Sequence, residues 1–169
     1  MNLNYREIIP TGFADDSRVW IYQGNRSFTD SEIMEIEKTL MEFASEWSSH
    51  GDQVKGFAGL FFRQFIVFMA DETATGVSGC STDSSVRLVK SIEQQFHVRL
   101  FERQNLAFLK EDKIVIIELN GLKQAIENDQ INGDTLYFNN TILSKKEWLE
   151  KWIIQVKESW LGKMFFQTT

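Results

Sequence analysis

One proline, one cysteine and two histidines in 169 residues leave little of the chemistry that sequence motifs advertise. A lone cysteine cannot close an internal disulfide, which fits a reducing compartment, and with two histidines it gives no set for a structural zinc cage. No apolar run reaches the roughly 18 residues of a spanning helix, and Met1 to Glu7 lack the basic stretch and apolar run of a signal peptide. A cytoplasmic protein with no membrane segment is expected. Basic residues are also in deficit. The 18 Lys and Arg stand against 24 Asp and Glu, a net charge of −6, and they do not cluster, so nucleic acid is not an expected partner.

Aromatic residues, by contrast, are abundant, with 14 Phe and 5 Trp, and each buries a large apolar area. With 43% hydrophobic and 25% charged residues the chain has the balance of a globular protein, and its length suits a single domain over residues 1–169. Residues 1–17 are polar, contain Pro10 and Gly12, show no periodicity and read as a surface arm.

The chain is organised around Phe65 to Ala70, apolar on both faces and therefore predicted to be a central strand. Phe62-Arg63-Gln64 joins it to Val54 to Phe61 as an antiparallel hairpin. Before them, Arg18 to Gln23 alternates like a strand. Thr29-Asp30-Ser31-Glu32 is a capping box that opens a helix with the apolar stripe Ile33, Ile36, Leu40, Phe43, Ala44 and Trp47, ending near Ser48 to Gly51. A second helix is predicted from about Ser84, with Val86, Leu88, Val89, Ile92 and Phe96 on its buried face. Asn105 to Leu109 and Lys113 to Leu119 read as another hairpin, Gly121 to Asn128 as a short helix and Thr135 to Phe138 as a strand. A final helix follows the capping box Ser144-Lys145-Lys146-Glu147, with Trp148, Trp152, Val156 and Trp160 along one line. Hairpins among helices give an α+β class: a mixed or mostly antiparallel sheet packed by about four helices.

Candidate chemistry gathers in the loop between the central strand and the second helix. Cys80, near a helix N-terminus, would meet unpaired N–H groups and the positive end of the helix dipole, both of which favour the thiolate. His50 or His97 would serve as its base, and Asp71 as the orienting carboxylate. The alternative is that Cys80 fills a tight loop as a small buried residue. The same loop could bind a small ligand through Gly76, Gly79, Ser81 and Thr82, where the glycines admit close approach and the hydroxyls add donors, or Thr82 could simply cap the helix. Asp71 and Glu72 end a strand and point to opposite faces, which weakens a joint acid/base role. The alternative for both His50 and His97 is a structural role at a helix end, where a lone histidine eases the dipole. No metal site and no cofactor are indicated.

The run Ser17 to Gln23, the helix end Trp47-Ser48-Ser49-His50-Gly51, the stretch Asp71-Glu72-Thr73 with Gly76-Val77-Ser78-Gly79-Cys80-Ser81, and Glu158-Ser159-Trp160 together resemble a family of small uncharacterised bacterial proteins to which the description "ABC transporter ATPase" is often attached. The chain itself lacks the phosphate-cradling loop that such a description implies. Its one Gly-Lys pair, Gly162-Lys163, is followed by Met164, and position 157 is Lys157 where that loop needs glycine. ATP hydrolysis is not expected. Leu122 to Phe138 also resembles the helix-to-strand segment of GYF-like peptide-binding modules. The expected function is binding of a small ligand or a protein partner, a second copy of the chain included, without catalysis; the runner-up is a thiol enzyme or redox sensor acting through Cys80.

Overall fold

Every residue from Phe65 to Asp71 is buried, and this strand, β5, sits between β1 (Arg18–Gln23) and β4 (Lys55–Phe61), antiparallel to both. A strand apolar on both faces is stable only when both faces are covered, and the computed structural model covers them differently. It describes residues 1–73, 76, 77 and 79–166, apart from the side chain of Cys80. Ile66, Phe68 and Ala70 join Ile36 and Leu40 of α1 (Asp30–Glu46) and Val89 and Ile92 of α2 (Gly79–Phe96) in one core. On the other face Trp148 of α4 (Lys145–Lys151) packs edge-on against Phe61 and Tyr5, with ring centroids 5.0 and 5.3 Å away. The antiparallel hairpins and helices are the α+β arrangement expected from the sequence.

Cα positions group the chain into two compact units, residues 4–101 with 142–149 and residues 1–3, 102–141 and 150–169. The first contains the sheet β1-β5-β4 and the two-stranded ribbon β2 (Ser48–Ser49) and β3 (Asp52–Gln53). The second contains a four-stranded antiparallel sheet in the order β7 (Lys113–Glu118), β6 (Asn105–Lys110), β8 (Leu136–Phe138), β9 (Ile153–Gln155). Its core joins Phe108 and Tyr137 of the sheet to Leu122 and Ala125 of α3 (Leu122–Glu127) and Leu161 of α5 (Trp160–Phe165). There the Trp160 indole N–H donates to the Tyr137 hydroxyl at 3.3 Å, and burial pushes that phenol up to about 12.

The Thr29 capping box forms as predicted, with Thr29 Oγ1 accepting from the Glu32 N–H and Glu32 Oε2 accepting from the Thr29 N–H. Arg26 grips the same carboxylate with two 2.9 Å bonds and donates a third to the Phe96 carbonyl, tying the start of α1 to the end of α2. Arg26, and after it the Thr29 N–H, hold the Glu32 carboxyl down at about 2.

Four expectations change. Helix α2 starts at Gly79, five residues early, because a first turn of small polar residues lacks the apolar periodicity that announces a helix. Helix α1 ends at Glu46, and Ser48 to Gln53 forms the small ribbon instead, with His50 and Gly51 both at positive φ as a tight I′-type turn requires. The line Trp148, Trp152, Val156, Trp160 is no single helix: after α4 the β-branched pair Ile153-Ile154 pairs with β8, and α5 begins at Trp160. The arm is anchored, since Tyr5, Ile9 and Phe13 are buried.

Trp47 is the joint of the first unit. Its ring lies against Phe43, Phe68 and Trp20, and its N–H donates to the Ser81 carbonyl at 3.0 Å. A Cβ on Gly56 would stand 2.5 Å from this indole. We expect Gly56→Ala to cost about 1–3 kcal/mol through overpacking and to shift the tryptophan emission; an unchanged melting temperature would show that the ring yields freely. The hairpin β6–β7 turns on Glu111 and Asp112, both at positive φ, positions that suit Asn and Gly. Replacing them as Glu111→Asn with Asp112→Gly is expected to stabilise the chain by about 1 kcal/mol or more in thermal unfolding, despite loss of the exposed pair between Asp112 and the N-terminal amine.

Candidate functional site

Asp71 ends the central strand with its carboxylate buried, and four donors converge on it. Oδ2 accepts from Lys55 Nζ at 2.7 Å and from the Ala14 N–H at 3.1 Å; Oδ1 accepts from the Thr73 hydroxyl at 2.7 Å and the Thr73 N–H at 3.1 Å. The Lys55 ammonium foremost, then the Thr73 hydroxyl, hold the Asp71 carboxyl well below the usual carboxylate range, although burial pushes the other way. Lys55 also donates to the Gly12 carbonyl and stands over the Phe13 ring, 5.3 Å from its centroid. One ion pair thus holds three consecutive residues of the arm, Gly12, Phe13 and Ala14.

The clasped arm forms one wall of an open cleft of about 420 Å³, lined by Pro10, Phe13, Ala44, Gln53, Val54, Lys55 and Gly56. Phe13 and Val54 are nearly buried and give an apolar floor, while Gln53 and Lys55 stand at the exposed rim. The Gln53 amide N–H donates to the Ser45 carbonyl at 3.1 Å, which orients its side chain toward the end of α1. The Lys55 ammonium has two of its three N–H groups engaged, and its charge is balanced by Asp71.

The sequence-predicted triad is distributed otherwise. Among the described residues the donors around Asp71 include no imidazole. His50 is exposed at the tip of the β2–β3 turn. Cys80 is the second residue of α2, inside the helix instead of before it, and its side chain lies outside the described residues. The ribbon and the first turn of α2 do meet, because the Ser81 hydroxyl donates to the Ser48 carbonyl at 3.1 Å.

The proposed ligand-binding residues divide as well. Ser81 is buried and committed to that bond and to Trp47. Thr82 lies within the helix, where its carbonyl accepts from the Ser85 hydroxyl. Gly76 and Gly79 have open space where a Cβ would stand, so no close approach within the chain demands glycine there. Glu72 turns away from Asp71, accepting from Arg18 at 3.4 Å and from the Val77 N–H at 2.9 Å. His97 takes a positive φ just after α2 while the Val98 N–H reaches back to the Glu93 carbonyl, an ordinary helix stop. Among the described residues no group of three or more potential ligands could hold a metal, and no helix is long and apolar enough to cross a membrane. Comparison with family models, with curated proteins and with solved structures returned no match.

Because folding depresses both carboxyls, the stability that Asp71 and Glu32 contribute is fully present above their unfolded values near 4 and is lost as pH falls toward the folded ones. For Glu32 that window runs from about 4.5 down to about 2. Melting temperature is therefore expected to drop steeply below about pH 4. The variant Asp71→Asn should start lower, show a shallower acid slope and exchange the Ala14 amide hydrogen faster. An unchanged slope would show that Asp71 adds no pH-dependent stability.

Proposed function

We propose that this chain is a binding domain without chemistry of its own, and that its ligand is a small, largely apolar molecule with a neutral acceptor at one end. The observation that carries this reading is the cleft walled by the clasped arm: an apolar floor of Phe13 and Val54 with two polar side chains, Gln53 and Lys55, at the rim. Sites of this make-up take apolar bodies and use a few polar groups for orientation. A carbonyl or hydroxyl suits Lys55 better than a carboxylate, because the Asp71 charge already sits 2.7 Å from the ammonium. A cytoplasmic setting, proposed from the single cysteine, agrees with it.

Thiol chemistry at Cys80 is the second reading, favoured by the Ser81–Ser48 bond that sets the ribbon carrying His50 against the turn carrying Cys80. One experiment separates the two. A library of small neutral amphiphiles is screened by amide chemical-shift mapping on the native protein, on Ala44→Phe, which fills the cleft from α1, and on Cys80→Ala. Cleft binding predicts shifts at Gln53 to Gly56 that vanish in Ala44→Phe and persist in Cys80→Ala. Shifts confined to the first turn of α2, together with a native alkylation pKa below the ~8.5 of a free thiol, would overturn the cleft reading in favour of the thiol.

A further inference from the structure

Helix α1 holds Asp30, Glu32, Glu35, Glu37, Glu42 and Glu46 against one Lys38, a charge of −5 in a chain whose net charge is −6. Asp30, Glu32 and Glu42 have cation partners in Arg63, Arg26 and Lys38. The Glu35 carboxylate accepts a neutral amide N–H from Gln95 at 3.0 Å, and among the described residues no cation is paired with Glu35, Glu37 or Glu46. Within this acidic field two methionines, Met34 and Met41, are each 71% exposed. They are seven residues apart, so they stand on one face of the helix about two turns from each other, with Lys38 between them. A single exposed apolar side chain means nothing; two large flexible ones aligned on the acidic outer face of α1 are a different matter. Thioethers adapt to varied apolar partners, and the surrounding carboxylates attract cations over about a Debye length.

We propose that the outer face of α1 docks a basic amphipathic helix of a protein partner, its apolar seam on Met34 and Met41 and its cations against Glu35, Glu37, Glu42 and Glu46. Charge complementarity selects this occupant, since a second copy would bring Glu35, Glu37, Glu42 and Glu46, offset only by Lys38, a face of −3, against its like. The inference does not depend on the cleft, whose lining includes none of these residues.

The test is fluorescence anisotropy of the full chain with a labelled synthetic Leu/Lys peptide patterned as an amphipathic helix, and with a scrambled peptide of the same composition. The native chain is expected to bind the patterned peptide at least about tenfold more tightly than the scrambled one. Met34→Ser with Met41→Ser should abolish that preference, and Glu37→Lys with Glu42→Lys should weaken binding and flatten its salt dependence. The equal charge change Glu118→Lys on β7 with Glu127→Lys on α3 should leave it unchanged. All these substitutions are on exposed positions and leave the core intact. Equal binding of the two peptides, or full retention of the preference without the methionines, overturns the proposal. So does sedimentation showing a native dimer that the methionine variant dissociates, which would place a second copy on this face.

Discussion

A carboxylate buried at the end of a central strand is costly unless donors surround it, and the solution found for Asp71 organises the first unit well beyond the strand. Its donors come from three places far apart in sequence: the arm through Ala14, strand β4 through Lys55, and the residue two positions on, Thr73. Satisfying one charge therefore fixes where the chain leaves β5, holds the edge strand β4 beside it and fastens the arm. The lysine chosen for the task is half-exposed, so its own Coulombic contribution is screened and modest. The greater share comes from charge-assisted bonds that would otherwise be missing around a buried anion.

The opposite face of the sheet depends on a different device. Trp47 lies at the junction where α1 gives way to the β2–β3 ribbon, and the absence of a side chain at Gly56 lets its ring reach the backbone of β4. From there its N–H holds the Ser81 carbonyl and so positions the first turn of α2. The glycine at position 56 is thus a packing requirement, and the ring contacts of Trp47 with Phe43, Phe68 and Trp20 follow from it.

Much of this fold was legible in the sequence because the signals were local. The strand Phe65 to Ala70 announces itself by being apolar on both faces, the Thr29 box by hydroxyl and carboxylate three residues apart, and the hairpins by short connections between β-rich runs. What was not legible depends on distant partners. Trp148, Trp152, Val156 and Trp160 keep a four-residue spacing, yet β8 recruits Ile153–Gln155 as a strand and divides the line. Tyr5, Ile9 and Phe13 repeat at the same spacing, a signal obscured by the polar residues, Pro10 and Gly12 around them. Asp71 stood out in sequence as a strand-end carboxylate. Nothing local linked it to Lys55, sixteen residues earlier, or to Ala14, so its structural role and the cleft beside it came only with the fold.

That role also decides what Asp71 can do. A general base working near neutrality needs a pKa raised toward the ambient pH and an open lone pair facing its proton donor. Here both oxygens accept two bonds each, and the same bonds drive the carboxyl in the opposite direction. Any proton it took would break the fastening of the arm and with it one wall of the cleft. Lys55 differs, since its half-exposed ammonium has two of its three N–H groups engaged and its charge is balanced by Asp71. An arrangement of that kind would orient a bound molecule without activating it, which is the physical ground of the recognition proposed for this end of the sheet.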